Sequence, residues 1–138
     1  MLKKSFVFIL CIFCVMAMFF CQRSKPLFSD YASSFEVYFF DYSTLNGVKT
    51  IQKPEYVFCY NLRGESCVVE NDYTVAQILK DFNAKVVKTE THDNGTSIYA
   101  YSSKIKYKKN LFGSVVNLHV ELSNGKITLG SPIIYGSF

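Results

Sequence analysis

Sixteen consecutive apolar residues, Phe6 to Cys21, follow Lys3 and Lys4, and no other feature constrains the chain as strongly. A stretch without charged or strongly polar side chains cannot form the surface of a domain in water, and a short positive segment before an apolar run is what the secretory machinery reads. As a helix the run would rise about 24 Å, short of the roughly 30 Å hydrocarbon core of a bilayer, so an export signal fits better than a full span. Residues 1–21 are therefore expected to be a signal peptide or membrane anchor, residues 22–34 a linker, and residues 35–138 a single domain. That domain is expected outside the cytoplasm, secreted or held on the outer face of the cytoplasmic membrane.

The leader has three open fates. Cleavage by signal peptidase fits after Ala17, with Val15 at −3. Cys21 admits lipidation, although Phe19 and Phe20 stand where that processing prefers small residues. Left uncut, the segment stays as an anchor, flanked on its far side by Arg23 and Lys25.

Of the 15 Lys and Arg residues, Lys3, Lys4, Arg23 and Lys25 belong to the leader and its flank, which leaves 11 against 11 Asp and Glu in the body. The body is neutral, so the +4 of the whole chain is no argument for a nucleic-acid surface. Three of the five cysteines, Cys11, Cys14 and Cys21, lie in the apolar leader and only Cys59 and Cys67 reach the body. They stand in YVFCYNLRGESCVV, read as two β-prone runs joined around Gly64 by a hairpin or wide loop. A Cys59–Cys67 disulfide suits an oxidising compartment and would contribute roughly 2.5 kcal/mol in the loop-entropy picture. Two unpaired thiols are the alternative.

Residues 34–42, SFEVYFFDY, are aromatic and β-prone and read as a strand, whereas residues 45–54, with Asn46-Gly47 and Pro54, read as turn and loop. Thr74 and Gln77 have the spacing of a capping box, and Val75, Ile78, Leu79 and Phe82 fall on one face of the helix it opens; Asn83 suits a left-handed stop. Two Asn-Gly pairs then predict hairpins: Asn94-Gly95 joining residues 84–93 to 96–102, and Asn124-Gly125 joining 115–123 to 126–130. The second register sets Leu118, Val120, Leu122, Ile127 and Leu129 on one face, which is core. The opposite face carries Asn117, His119, Glu121, Lys126 and Thr128 and is expected to be solvated or covered by something polar. Asn94-Gly95-Thr96 is also a glycosylation sequon, but the turn already explains it.

The runs ILKDFNAKVV, IYAYS and VNLHVELSNGKITLGSPIIYGSF resemble the later part of the YwmB family, exported proteins of Gram-positive bacteria. The similarity covers residues 73–138 and is carried best by VNL and GSPII. The resemblance implies a fold similar to that of the TATA-box-binding protein, a curved antiparallel sheet with a helix on one side, and implies no established activity. Export and a neutral body argue against DNA as a ligand. The same α+β fold class, a curved antiparallel sheet with one short helix packed on one face after an apolar leader helix, follows from the residue patterns themselves.

Candidate chemistry is sparse. Lys104, Lys106, Lys108 and Lys109 form the one basic cluster of the body, suited to an anionic polymer such as teichoic acid or to a phospholipid surface, or to a solvated edge that resists aggregation. Tyr99 and Tyr101 share a strand face opposite Ile98 and Ala100; if the helix covers the face of Ile98, both rings are expected to be exposed as a partner-binding surface. His119 beside Glu121 could serve as a base, with His92 beside Asp93 a weaker candidate. There is no phosphate-cradling glycine loop, zinc-spaced cysteine and histidine set, nucleophile elbow or paired acid motif, so no cofactor or metal is expected. The reading is an exported, non-enzymatic cell-envelope protein that binds another envelope protein or an anionic wall polymer, touches the membrane through its N-terminal segment and takes no nucleic acid. The alternative is a small extracellular hydrolase or thiol redox enzyme using Cys59, Cys67 or His119.

Overall fold

The computed structural model describes residues 2–21, 23–39, 48–52, 57–58 and 62–134. In chain order its elements are α1 (Leu2–Cys21), β1 (Arg23–Ser24), β2 (Ser34–Phe39), β3 (Val48–Gln52), β4 (Val57–Phe58), β5 (Leu62–Val68), α2 (Val75–Asp81), β6 (Lys85–His92), β7 (Gly95–Tyr101), β8 (Lys109–Leu111), β9 (Ser114–Val116), β10 (Leu118–Ser123) and β11 (Lys126–Ser131). The large apolar side chains of α1 from Phe6 to Phe19 are exposed. Among the described residues no helix is long and apolar enough to cross a membrane.

Seven strands form one antiparallel sheet in the order β3-β2-β5-β11-β10-β7-β6, with β1-β4 and β8-β9 as separate two-stranded pairs. The class is α+β, as expected. The β10-β11 hairpin has the expected register, Val120 opposite Leu129 and Leu122 opposite Ile127, around Asn124 and Gly125 at φ 53° and 72°. The capping box also forms: the Gln77 N–H donates to Thr74 Oγ1 at 3.3 Å and the Thr74 N–H to Gln77 Oε1 at 2.9 Å. Asn83, at φ 48°, supplies the left-handed stop. A helix of 7 residues cannot persist alone, and α2 survives by laying Ile78 and Phe82 on the sheet. Below them lie Cys67, Ala100, Leu118, Val120 and Leu129.

Four expectations are corrected. The expected linker, residues 22–34, is not a free connection: Phe28 and Tyr31 within it are buried in the core under α2, Phe28 edge-on to Phe82 at 5.8 Å and Tyr31 edge-on to Tyr73 at 4.8 Å. Residues 48–52 are a strand, not loop, paired along β2. Gly64 is no loop residue either: it lies inside β5 opposite Tyr38, and a Cβ there would stand 2.1 Å from the Ser131 carbonyl oxygen, so glycine serves close backbone approach. The first hairpin turns on Asp93 and Asn94, with His92 opposite Gly95, one residue earlier than Asn94-Gly95 implies. Gly95 is again needed for contact, since its Cβ would lie 1.8 Å from the Leu122 oxygen. Because the pairing moves by two residues, each side chain from Lys88 to His92 keeps its face; beyond the bulge at Val86/Lys88 the faces of Lys85 and Val86 are exchanged. The Asn46-Gly47 turn lies outside the described residues.

Candidate functional site

The sheet face opposite α2 is where the chemistry gathers, and although the residue pattern predicts it solvated or covered by something polar, His119 and Tyr99 are instead buried. The reason is a hairpin that residue patterns did not announce. β8 and β9 turn through Phe112 and Gly113, at φ 55° and 74°. Phe112 thereby lies against the outer face, its ring edge-on to Tyr99 at 5.0 Å and holding Lys88 Nζ 3.9 Å from its centroid. Residues 131–134 close the same face from the other side, where the Ile134 N–H donates to His119 Nδ1 at 3.2 Å.

Tyr99 is consequently buried, although α2 does cover the face of Ile98 and Ala100. Its partner-binding role is corrected on that ground: Phe112 occupies the space a partner would need. The ring stacks on His119 at 4.5 Å, 17° from parallel. Burial pushes the Tyr99 hydroxyl up from its usual value. Tyr101, two residues on, stays half-exposed.

His119 is 1 % exposed, and burial drives its pKa down to about 4 against the opposing pull of Glu121 and Glu90. It is therefore neutral at physiological pH. Since Nδ1 accepts a backbone N–H, the ring proton sits on Nε2, 3.7 Å from Glu121 Oε2. Glu121 is engaged further: its Oε1 is 3.0 Å from His92 Nε2, and Oε2 accepts from the Ser97 hydroxyl. Ser97, His92 and Glu121 thus supply the three members of a hydrolase triad. The wiring is wrong for one. In a triad the acid holds one ring nitrogen and the serine faces the other. Here Ser97 Oγ and Glu121 both meet His92 Nε2, at 3.2 and 3.0 Å, and the serine proton goes to the carboxylate. Asn117 left the expected face altogether: it is buried between β9 and β10, accepting from the Ser102 N–H and donating to the Ser102 and Ile105 carbonyls.

The thiol candidates fare no better. Cys67 is a free, buried thiol on the core face opposite Leu129, so the expected disulfide is not seen; Cys59 lies outside the described residues. Burial, then the nearby Glu65 and Glu70, push the Cys67 thiol up to about 12, which keeps it protonated and unreactive. Among the described residues no group of three or more His, Cys, Asp or Glu is placed to hold a metal ion.

The four lysines divide. Residues 103–104 form a turn and residues 105–108 have no sheet partner among the described residues, with Ile105 buried and Tyr107 packed on Val37 and Leu62. The alternation expected for Lys104, Lys106 and Lys108 shows in exposure only: the three are exposed around buried Ile105 and half-buried Tyr107, but Lys104 lies in a turn and not on an extended segment. Lys104 is spent on structure: its Nζ donates to the Asp81 carbonyl at 2.7 Å, closing the C-terminus of α2. Lys106, Lys108 and Lys109 remain exposed. Lys108 Nζ stands 5.6 Å from the Tyr101 ring centroid, so a basic candidate and an aromatic candidate meet. They do so in an open groove of about 460 Å³ lined by Lys85, Val87, Tyr101, Lys108 and Val115. A β-bulge at Val86/Lys88 shapes it by inserting Val87, and the β8-β9 hairpin supplies Val115.

Lys85, Val87 and Val115 had no sequence signal, because only the bulge and the unannounced hairpin bring them beside Tyr101. A second hollow of about 270 Å³ between β2, β5 and β11 is lined in part by Ser34, Glu36, Ser66, Glu70 and Thr128. Its carboxylates are already engaged, Glu36 by the Tyr38 hydroxyl and Glu70 by Ser33. No family model matches the chain, and neither a curated protein nor a solved structure matches it.

Proposed function

We propose that the chain is an exported, YwmB-like, non-enzymatic protein of the cell envelope whose body binds an anionic wall polymer through the groove of Lys85, Tyr101 and Lys108. One observation carries the reading: two lysines flank an apolar and aromatic floor, and no acidic side chain lines the groove. A phosphate or carboxylate chain crossing it meets two cations, while its carbon backbone lies on Val87, Val115 and Tyr101. The exposed Lys106 extends the positive field along the loop that carries Lys108. Against an enzyme stand the protonated thiol of Cys67, the neutral and enclosed His119 and the misdirected Ser97. Export rests on Lys3, Lys4 and the apolar run, with α1 as the segment that would meet the membrane.

The test is equilibrium binding of the purified protein to teichoic acid at low and moderate salt. Affinity should fall with salt, because bound lysines release counterions, and the pair Lys85→Gln and Lys108→Gln should lower it about tenfold or more, equivalent to about 1.4 kcal/mol. Equal binding by the parent and the double variant would remove the groove from the reading.

A further inference from the structure

The outer edge of β6 is a second surface, independent of the groove. Among the described strands β6 pairs only with β7, and at 8 residues it is the longest strand of the sheet. His92 pairs with Gly95 across a two-residue loop, which makes His92 and Glu90 the residues hydrogen-bonded to β7. Thr89 and Thr91 then aim their N–H and C=O groups away from the sheet, where a further strand could take them up.

We infer that a second copy of this chain takes up that edge, β6 pairing antiparallel with β6 about a two-fold axis at Thr89. Charge selects both the occupant and the register. The strand is basic at its start, Lys85 and Lys88, and acidic at its end, Glu90 and then Asp93, so a copy running the other way is complementary to it. Centring the axis on Lys88 sets Lys88 against Lys88, and centring it on Glu90 sets Glu90 against Glu90; like charges directly opposite are destabilising. Centring on Thr89 sets Lys88 opposite Glu90 in both directions and Thr91 opposite Val87. It also makes Thr89 a hydrogen-bonded pair with itself, as its outward backbone groups require.

Within one chain Lys88 Nζ already meets Glu90 Oε1 at 2.6 Å, and both side chains are about 40 % exposed. The two pairs would interleave into an alternating square on the outer face. An isologous contact of this kind closes on itself, so the product is a dimer with a sheet continuous across the axis and not a fibre. The bulge at Val86/Lys88 ends the ladder beyond Val87. Both grooves then open on the same face, with their Lys85 residues about 27 Å apart along the strands, from eight residues at ~3.4 Å each. A repeating polymer could engage both grooves at once.

Sedimentation of the purified full-length chain in detergent tests this, with hydrogen exchange reporting the place. The parent is expected to be a dimer in which the Thr89 and Thr91 amides are protected. Lys88→Glu and Glu90→Lys should each give monomer, and the chain carrying both exchanges should regain the dimer, because the swap restores every cross-axis pair. Thr89→Pro removes an outward N–H without touching the β7 ladder, so it should give a folded monomer even if a charge variant folds poorly. A monomeric parent, or a dimer that survives both single reversals and Thr89→Pro, overturns the inference. So does protection of the Thr89 amide that appears only when envelope extract is added, since the occupant would then be another molecule.

Discussion

Two buried groups with opposite pKa displacements make the stability of the fold respond to pH in a way that single substitutions can unmask. Glu65 is 3 % exposed on the α2 side of β5, and burial raises its pKa from 4.5 to about 7 although its Oε1 accepts the Phe28 N–H at 3.0 Å. His119, enclosed on the other face, is displaced down from 6.5 to about 4. Between about pH 4.5 and 7 the folded chain holds a proton on Glu65 that the unfolded chain has released, so stability falls as pH rises. Between about pH 4 and 6.5 the unfolded chain holds a proton on His119 that the folded chain excludes, so stability rises with pH. Each displacement is worth about 3 kcal/mol at 1.36 kcal/mol per unit, and over the shared window the two nearly cancel. Urea unfolding of the parent should therefore give a nearly level stability from pH 4.5 to 6.5. Glu65→Gln, which keeps an acceptor for Phe28, should become more stable by about 2 kcal/mol across that range as pH rises, from His119 alone. His119→Gln should lose a similar amount as pH rises to 7, from Glu65 alone. Parallel profiles for the parent and both variants would refute the reasoning.

Gly64→Ala should cost about 1–3 kcal/mol, because the added Cβ meets the Ser131 carbonyl oxygen at 2.1 Å; an unchanged urea midpoint would contradict the close approach. Thr74→Ala should lower stability by about 1 kcal/mol through the lost cap, measurable by thermal melting monitored at a helix wavelength. Cys67 should resist maleimide in the folded protein at pH 8 and react on unfolding, and mass spectrometry of the labelled peptide reads this directly. Phe112→Ala should expose Tyr99 and raise its fluorescence quenching by iodide, since the Phe112 ring is what stands over it at 5.0 Å.

How legible all this is in the residues depends on whether local chemistry decides the matter. The α2 cap, the Asn83 stop and the Asn124-Gly125 turn are local, and each forms as its residues dictate. From the second turn the core face of β10 and β11 follows by alternation alone. Gly64 and Gly95 mislead for a shared reason: glycine signals either a special backbone angle or close approach, and only the neighbouring strands tell which. Phe28 and Tyr31 sit among polar residues that look like a tether, and their burial is decided by contacts with Phe82 and Tyr73, more than 40 residues away. The β8-β9 hairpin was hidden because Phe112 takes a left-handed angle that an aromatic residue seldom adopts. What was misjudged about Tyr99 descends from that hairpin, while the enclosure of His119 also needs residues 131–134 and the groove also needs the bulge at Val86/Lys88. Lys108 and Tyr101 were both visible as candidates, but their meeting was not.

Compartment governs which ligands the groove can ever see. A membrane-impermeant amine reagent applied to intact cells, followed by peptide mass spectrometry, reads it in one step through the exposed Lys106 and Lys108. Labelling of both lysines before lysis is the expected result. Lysines that react only after the cells are broken open would contradict an exported body.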